Sequence, residues 1–388
     1  MAKKYRKIKR QKIHYKGRRN RKNVIKTILF IILILVLVFL AYSVAGPIKQ
    51  LLSGELGNSS TLASSEEQPS SQQNVSSEAS SQPQPETVTK AVTMPLETAL
   101  DQTKLDPFLT TAKANGYTAV LVELKDENGT VWFQSEEITA LCKNAVAENA
   151  LSAPELAKKI KDAGLTPIAA AHTFKDKTAP NKAIGNTFMV KNSNSTWWDT
   201  SAEKGGKPWL NPYKENARSY NTKVVEELAK AGFETIVLRS VQFPDVRSMA
   251  KAELDTSPTV PEILSQYVTE AQTVAQNNGA RVLVSYDSVD YWNAKAVAYG
   301  GEAGGIRAEQ IAPVIRLSDY GDTLTIGETV IENPSANIGT AVQAVIGEIK
   351  ARTGLTEQQI VPVVAQGQDA AAITAALETA GIKNCIVE

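Results

Sequence analysis

The sequence predicts a (β/α)8 TIM barrel, and three observations carry that expectation. A helix, a glycine and a short β-rich run recur along residues 91–388. The runs are continuously apolar, as strands covered on both faces are. And the repeating region is about 300 residues long, the size of a single barrel of this kind. No Gly-x-Gly-x-x-Gly or phosphate-loop pattern follows any of the runs, which disfavours the alternative, an open doubly wound nucleotide-binding sheet.

The stop glycines sit in Ala114-Asn115-Gly116, Asp162-Ala163-Gly164, Lys230-Ala231-Gly232, Asn277-Asn278-Gly279, Thr353-Gly354 and Thr379-Ala380-Gly381. Each precedes a run such as YTAVLVEL, LTPIAAA, FETIVL or ARVLVSY. A first strand at Lys90–Met94 and a sixth at Pro313–Leu317 bring the number to eight. Ser152-x-x-Glu155 and Thr259-x-x-Glu262 read as capping boxes, and Tyr220, Val224, Leu228 and Ala231 form an apolar stripe at helical spacing.

The chain ahead of the barrel is built differently. Residues 1–26 hold 13 Lys or Arg and no acid. The remainder carries 29 basic against 41 acidic residues, so the barrel is acidic, which argues against a nucleic-acid partner for it. Residues 27–46 begin with TILFIILILVLVFLAYSVA, long enough to cross a bilayer as one helix. The basic flank sets the expected orientation, a cytoplasmic tail at 1–26 and an extracellular domain. A cleaved signal peptide is the alternative at the span, as is an RNA-binding arm at the tail. Residues 47–90 are rich in Ser, Gln, Glu and Pro and read as a disordered linker.

The side-chain inventory is restrictive. With only His14 and His172, a histidine-rich metal site is excluded, and neither metal nor organic cofactor is expected. Cys142 and Cys385 read as buried thiols.

In a barrel the residues following each strand share one rim. Strand two delivers Glu123, Asp126, Glu127 and Trp132; strand three delivers His172, Lys175 and Asp176, then an excursion with Trp197, Trp198, Asp199, Trp209 and Tyr213. Strand four brings Arg239, Gln242 and Asp245, strand five Asp287, Asp290, Tyr291 and Trp292, and strand six Arg316, Asp319, Tyr320 and Asp322. Flat aromatic faces stack on sugar rings, and carboxylates accept from hydroxyls, so an acidic rim with tryptophans suits a carbohydrate polymer or oligosaccharide. The plainer reading is that the acids cap helices and the tryptophans close the barrel mouth.

Several short motifs in order extend this. They are Glu123-Leu124-Lys125-Asp126-Glu127-Asn128-Gly129, Phe174-Lys175-Asp176, Trp209-Leu210-Asn211-Pro212-Tyr213, Gly232-Phe233-Glu234-Thr235-Ile236, Ser285-Tyr286-Asp287 and Ser318-Asp319-Tyr320. In their order and spacing the chain resembles an extracellular barrel family of unknown function described as a putative glycosyl hydrolase domain. The resemblance implies a glycosidase-like site: Asp287 as nucleophile or base, Glu123 or Asp126 as acid, and Trp197, Trp198, Trp209, Tyr213, Trp292, Asp176 and Asp319 around the substrate. It also exposes a departure. Where the family has Phe-Asp-Tyr-x-Arg-Phe-Pro, this chain has Leu238-Arg239-Ser240-Val241-Gln242-Phe243-Pro244. Arg239 offers no acceptor and keeps its proton, so it cannot act as nucleophile or base. It is expected either to orient a carboxylate or to form a salt-bridged strut across the mouth. The function implied is a membrane-anchored glycosidase-like protein whose catalysis is in question, the alternative being a non-catalytic glycan-binding or envelope scaffold protein.

Overall fold

The computed structural model describes residues 89–388, apart from 182–185, 366 and 368. The tail, the apolar run and nearly all of the linker expected from the sequence lie outside the described residues. Among those described, no helix is long and apolar enough to cross a membrane. Of residues 47–90, Thr89 and Lys90 are described: Lys90 opens the first strand, and Thr89 N donates to Asn384 Oδ1 at 2.8 Å.

Eight parallel strands form the centre: β1 Lys90–Met94, β2 Ala119–Lys125, β3 Thr166–His172, β4 Thr235–Arg239, β5 Arg281–Val284, β6 Val314–Ile315, β7 Val363–Val364 and β8 Cys385–Val387. They are hydrogen-bonded in the order β5-β4-β3-β2-β1-β8-β7-β6. The sheet curls until its two edge strands meet through parallel bridges, Val284 to Ile311 and Asp287 to Val314. Ala312 N donates to Val284 O at 2.9 Å and Val314 N to Tyr286 O at 2.8 Å. This is the curled parallel α/β sheet of the TIM-barrel kind, with six strands where the glycine-bounded runs place them and β1 and β6 within the two added runs.

Helices α1 Gln102–Ala114, α2 Ala153–Asp162, α3 Glu215–Lys230, α4 Val260–Asn277, α5 Ile338–Thr353 and α6 Ala370–Thr379 pack around the sheet. Their stops follow the expected chemistry. At Gly232 φ is +99°, a conformation that a Cβ would strain, and the other five stop glycines have φ between +70° and +84°. The Thr259 capping box is complete, Thr259 N donating to Glu262 Oε2 at 2.7 Å. At Ser152 the hydroxyl accepts from Glu155 N at 3.4 Å. Between β5 and β6 no α-helix forms; two 3-10 turns, Ser288–Tyr291 and Ala303–Gly305, take its place.

Strand alternation divides the core into two layers. Leu121, Ala170, Val237, Leu283, Ala312, Val363 and Ile386 form an apolar cluster inside the barrel, with Val314 against it. The intervening residues, Val120, Val122, Ile236, Leu238 and Val282 among them, pack under the helices. Because side chains two apart share a face, the inward positions above the apolar layer are Glu123, His172, Arg239, Ser285, Arg316 and Glu388. The barrel interior therefore changes from apolar to charged at the carboxyl ends of the strands.

Candidate functional site

That change builds the floor of a cleft of about 450 Å³ lined by His172, Trp209, Arg239, Asp287, Arg316 and Glu388, together with Lys175, Ser240, Gln242, Asp245, Ser285 and Tyr299. The volume falls in the range of small-molecule sites, roughly 300–1,000 Å³. Two broader grooves lie on the flank, about 850 Å³ between α3 and α4 and about 810 Å³ beside residues 134–150. Neither gathers the strand-end residues, so the smaller cleft is the candidate site.

Arg239 stands at its centre. Its Nη1 donates to Glu123 Oε2 at 3.0 Å, and its Nη2 pairs with the Glu388 carboxylate. The side chain is 21% exposed. Burial pushes the guanidinium below the usual arginine range, and nearby Glu123 opposes that push. Opposite, Arg316 Nη1 lies 3.1 Å from Asp287 Oδ1 and 3.0 Å from Asp319 Oδ2. Thus four rim carboxylates, Glu123, Glu388, Asp287 and Asp319, each pair with one of two arginines.

The structure separates the residues expected at the site. Arg239 and Asp287 line the cleft, Glu123 reaches it through Arg239 and His172, and Asp319 reaches it through Arg316. Asp126 does not. Its Oδ1 accepts from Asn128 N and Thr130 N at 2.8 and 2.9 Å, and its Oδ2 from the Trp132 indole at 3.2 Å, so its acceptor sites are spent on the turn after β2. Asp176 is fully buried below the rim, 2.9 Å from Lys125 Nζ, with no surface for a ligand. Trp197 is a core residue, its indole donating to Ser248 O at 2.9 Å and its ring set edge-on to Phe188. Trp198 is 40% exposed but lies outside the cleft lining. Tyr213 packs edge-on against Phe243, and Trp292 against the core. Of the aromatic platforms expected, Trp209 alone lines the cleft.

Ser240, Ser285, Tyr299 and Glu388 were not expected there. For Ser285 and Glu388 the signal was available, since each is two residues beyond an inward apolar residue. Tyr299 sits on the long connection after β5 and carries no such signal.

Behind the cleft, Tyr299 Oη lies 2.9 Å from both Gln242 Oε1 and Asp290 Oδ2, and Lys295 Nζ lies 2.8 Å from Asp290 Oδ1. Burial raises the Asp290 carboxyl above its ordinary 3.8, against the lowering effect of Lys295 and Tyr299. An acid raised on folding keeps its proton when the unfolded chain has lost it, so its contribution to stability falls as pH rises from the ordinary value through the raised one. Subtracting the pH profile of Asp290→Asn from that of the wild type, both from urea denaturation, should therefore leave a difference that declines with pH from about 4 upward. A difference that is flat or rising would contradict the assignment.

No curated protein matches the chain. Among solved structures, it is similar to a hypothetical protein from Ruminiclostridium thermocellum (19% identity, TM-score 0.44, 50% of this chain and 96% of that one). It is also similar to the catalytic domain of a β-amylase from Paenibacillus polymyxa (12%, TM-score 0.46, 77% and 91%). A third is a β-N-acetylhexosaminidase from Bacteroides fragilis (8%, TM-score 0.46, 72% and 50%). Residues 91–380 match the family described as a putative glycosyl hydrolase domain, which spans β1 to the end of α6, and the chain belongs to that family.

Proposed function

We propose that the domain binds carbohydrate in the rim cleft and does not cleave glycosidic bonds. The observation that carries this reading is Arg239, which takes the strand-four acid position and pairs with Glu123 and Glu388. Glycosidic cleavage by the two-carboxylate route needs one carboxyl free to give a proton and another free to attack or to activate water. Here Glu123, Glu388, Asp287 and Asp319 are committed to Arg239 and Arg316, and among the described residues lining the cleft Asp245 is the one acid outside these pairs, a single carboxylate where the route needs two. A neutral, hydroxyl-rich ligand suits such a floor, because paired carboxylates retain lone pairs for hydroxyl donors and the guanidinium groups retain N–H groups for ring and hydroxyl oxygens. Trp209, 7% exposed, touches the cleft with its indole tied to Asp199 Oδ2 at 3.2 Å.

The apolar run at 27–46 would anchor the chain as a single-pass protein, N-terminus in the cytoplasm, with the domain outside, where cell-envelope or environmental glycans are the available partners.

Binding of the full chain to a glycan panel, followed by calorimetry on the best ligand, tests the reading. Asp287 and Arg316 are each 41% exposed, so Asp287→Asn should change unfolding stability by less than about 1 kcal/mol. Loss of a charged acceptor should nonetheless weaken the ligand by roughly tenfold or more. Absence of binding to any glycan would end the proposal.

A further inference from the structure

At the cleft a serine meets a histidine, and the histidine meets a carboxylate behind it. Ser240 Oγ lies 2.8 Å from His172 Nδ1, and His172 Nε2 lies 3.5 Å from Glu123 Oε2. A carboxylate only accepts, so the proton of the neutral imidazole belongs on Nε2, which leaves the Nδ1 lone pair facing the serine hydroxyl. Ser240 and His172 both line the cleft.

The backbone makes this meeting possible. Arg239 faces into the barrel, so regular alternation would send Ser240 outward, away from His172. Instead φ at Ser240 is +55°, a left-handed conformation uncommon for a serine. It is held by Thr173, whose Oγ1 lies 2.9 Å from Arg239 O and 2.7 Å from Ser240 O. A strained turn at a strand end that brings a hydroxyl onto a histidine is an observation in favour of function, because its surroundings must over-determine it.

We infer that Ser240, His172 and Glu123 act as nucleophile, base and orienting carboxylate in acyl transfer, and that the substrate class is an O-acylated sugar. The triad stands on its own geometry; the sugar part rests on the carbohydrate reading of the cleft. In the first step Ser240 Oγ attacks the ester carbonyl carbon and its proton passes to His172 Nδ1. The bond from that carbon to the sugar oxygen breaks, and the sugar leaves as an alcohol carrying the proton from His172. Water then attacks the acyl-serine, giving one proton to His172, which returns it to Ser240 as the carboxylic acid departs. No oxidant or metal is consumed. Arg239 accepts no proton and holds Glu123 at 3.0 Å.

The test uses the full chain with three probes: a fluorophosphonate, p-nitrophenyl acetate and glucose pentaacetate. The expected result is a phosphonyl adduct on Ser240 by peptide mass spectrometry, formed at least about 100-fold more slowly in His172→Gln and about tenfold more slowly in Glu123→Gln. Acetate is released from both esters, and Ser240→Ala abolishes it. No adduct on Ser240 in the wild type overturns the triad, whether or not the variants fold. Equal labelling of wild type and a folded His172→Gln overturns it too. Cleavage of p-nitrophenyl acetate with glucose pentaacetate untouched overturns the sugar-ester assignment while leaving the nucleophile in place. Because the fluorophosphonate carries no sugar, failure of glycan binding and failure of the triad give different results.

Discussion

Asp176→Asn is expected to cost about 3–5 kcal/mol of folding free energy, the range found when one member of a buried ion pair is removed. Lys125 and Asp176 are both fully buried, their charged atoms 2.9 Å apart. Lys125 Nζ also donates to His172 O at 2.8 Å and lies 5.6 Å from the centre of the Tyr220 ring. Asp176 Oδ1 accepts from Thr178 N and Ala179 N at 2.8 and 2.9 Å. Neutralising the acid leaves an ammonium in the core with the carbonyls of His172 and Thr173 and a ring but no counter-charge. The pair thus ties the end of β2 to the turn after β3, the two segments that present Glu123 and His172. Chemical denaturation gives the free energy directly. Replacing both partners by apolar residues, Lys125→Met with Asp176→Leu, should recover much of the loss, since an uncompensated charge costs more than an absent pair. A loss below about 1 kcal/mol in Asp176→Asn would show that the pair is not the junction described here.

Arg239→Ala is the second large effect, about 2–3 kcal/mol, set between the values for exposed and buried pairs. With Arg239 21%, Glu123 32% and Glu388 27% exposed, solvent screens part of the interaction. Removing the guanidinium leaves two like charges across the barrel mouth. For a domain of this size the midpoint of thermal unfolding should fall by roughly 3–5 °C. Arg239→Lys should restore only part of this, because one ammonium does not span two carboxylates as a planar fork does. A midpoint unchanged in Arg239→Ala would remove the strut from the account.

Most of the barrel is legible in the sequence because its determinants are local. A glycine in the left-handed region ends each helix, and the following apolar run has no reading but a strand covered on both faces. Period-two alternation then carries the argument to the rim, where Glu123 and Arg239 emerge as expected and where the same rule reaches Ser285 and Glu388. The connection after β5 is less legible. Residues 288–305 carry no amphipathic period, and the chain makes two 3-10 turns there instead of a helix.

The roles of individual polar and aromatic residues were harder to read, for a physical reason: burial is a property of packing. Nothing local distinguishes Trp197, enclosed in the core, from Trp198, 40% exposed beside it. Asp126 did carry a usable signal, since Asp-x-Asn-Gly is turn chemistry and its carboxylate is consumed by that turn. The contact between Ser240 and His172 depends on a left-handed φ at a serine, a conformation that residue type does not announce.

The measurement that bears most directly on the central claim is product release by the full chain, assayed as new reducing ends on each glycan that it binds. Saturable binding with no reducing ends above the uncatalysed rate is the result predicted by a rim whose Glu123, Glu388, Asp287 and Asp319 are paired to Arg239 and Arg316. Turnover by the wild-type chain, lost in Asp287→Asn or Glu123→Gln, would contradict it.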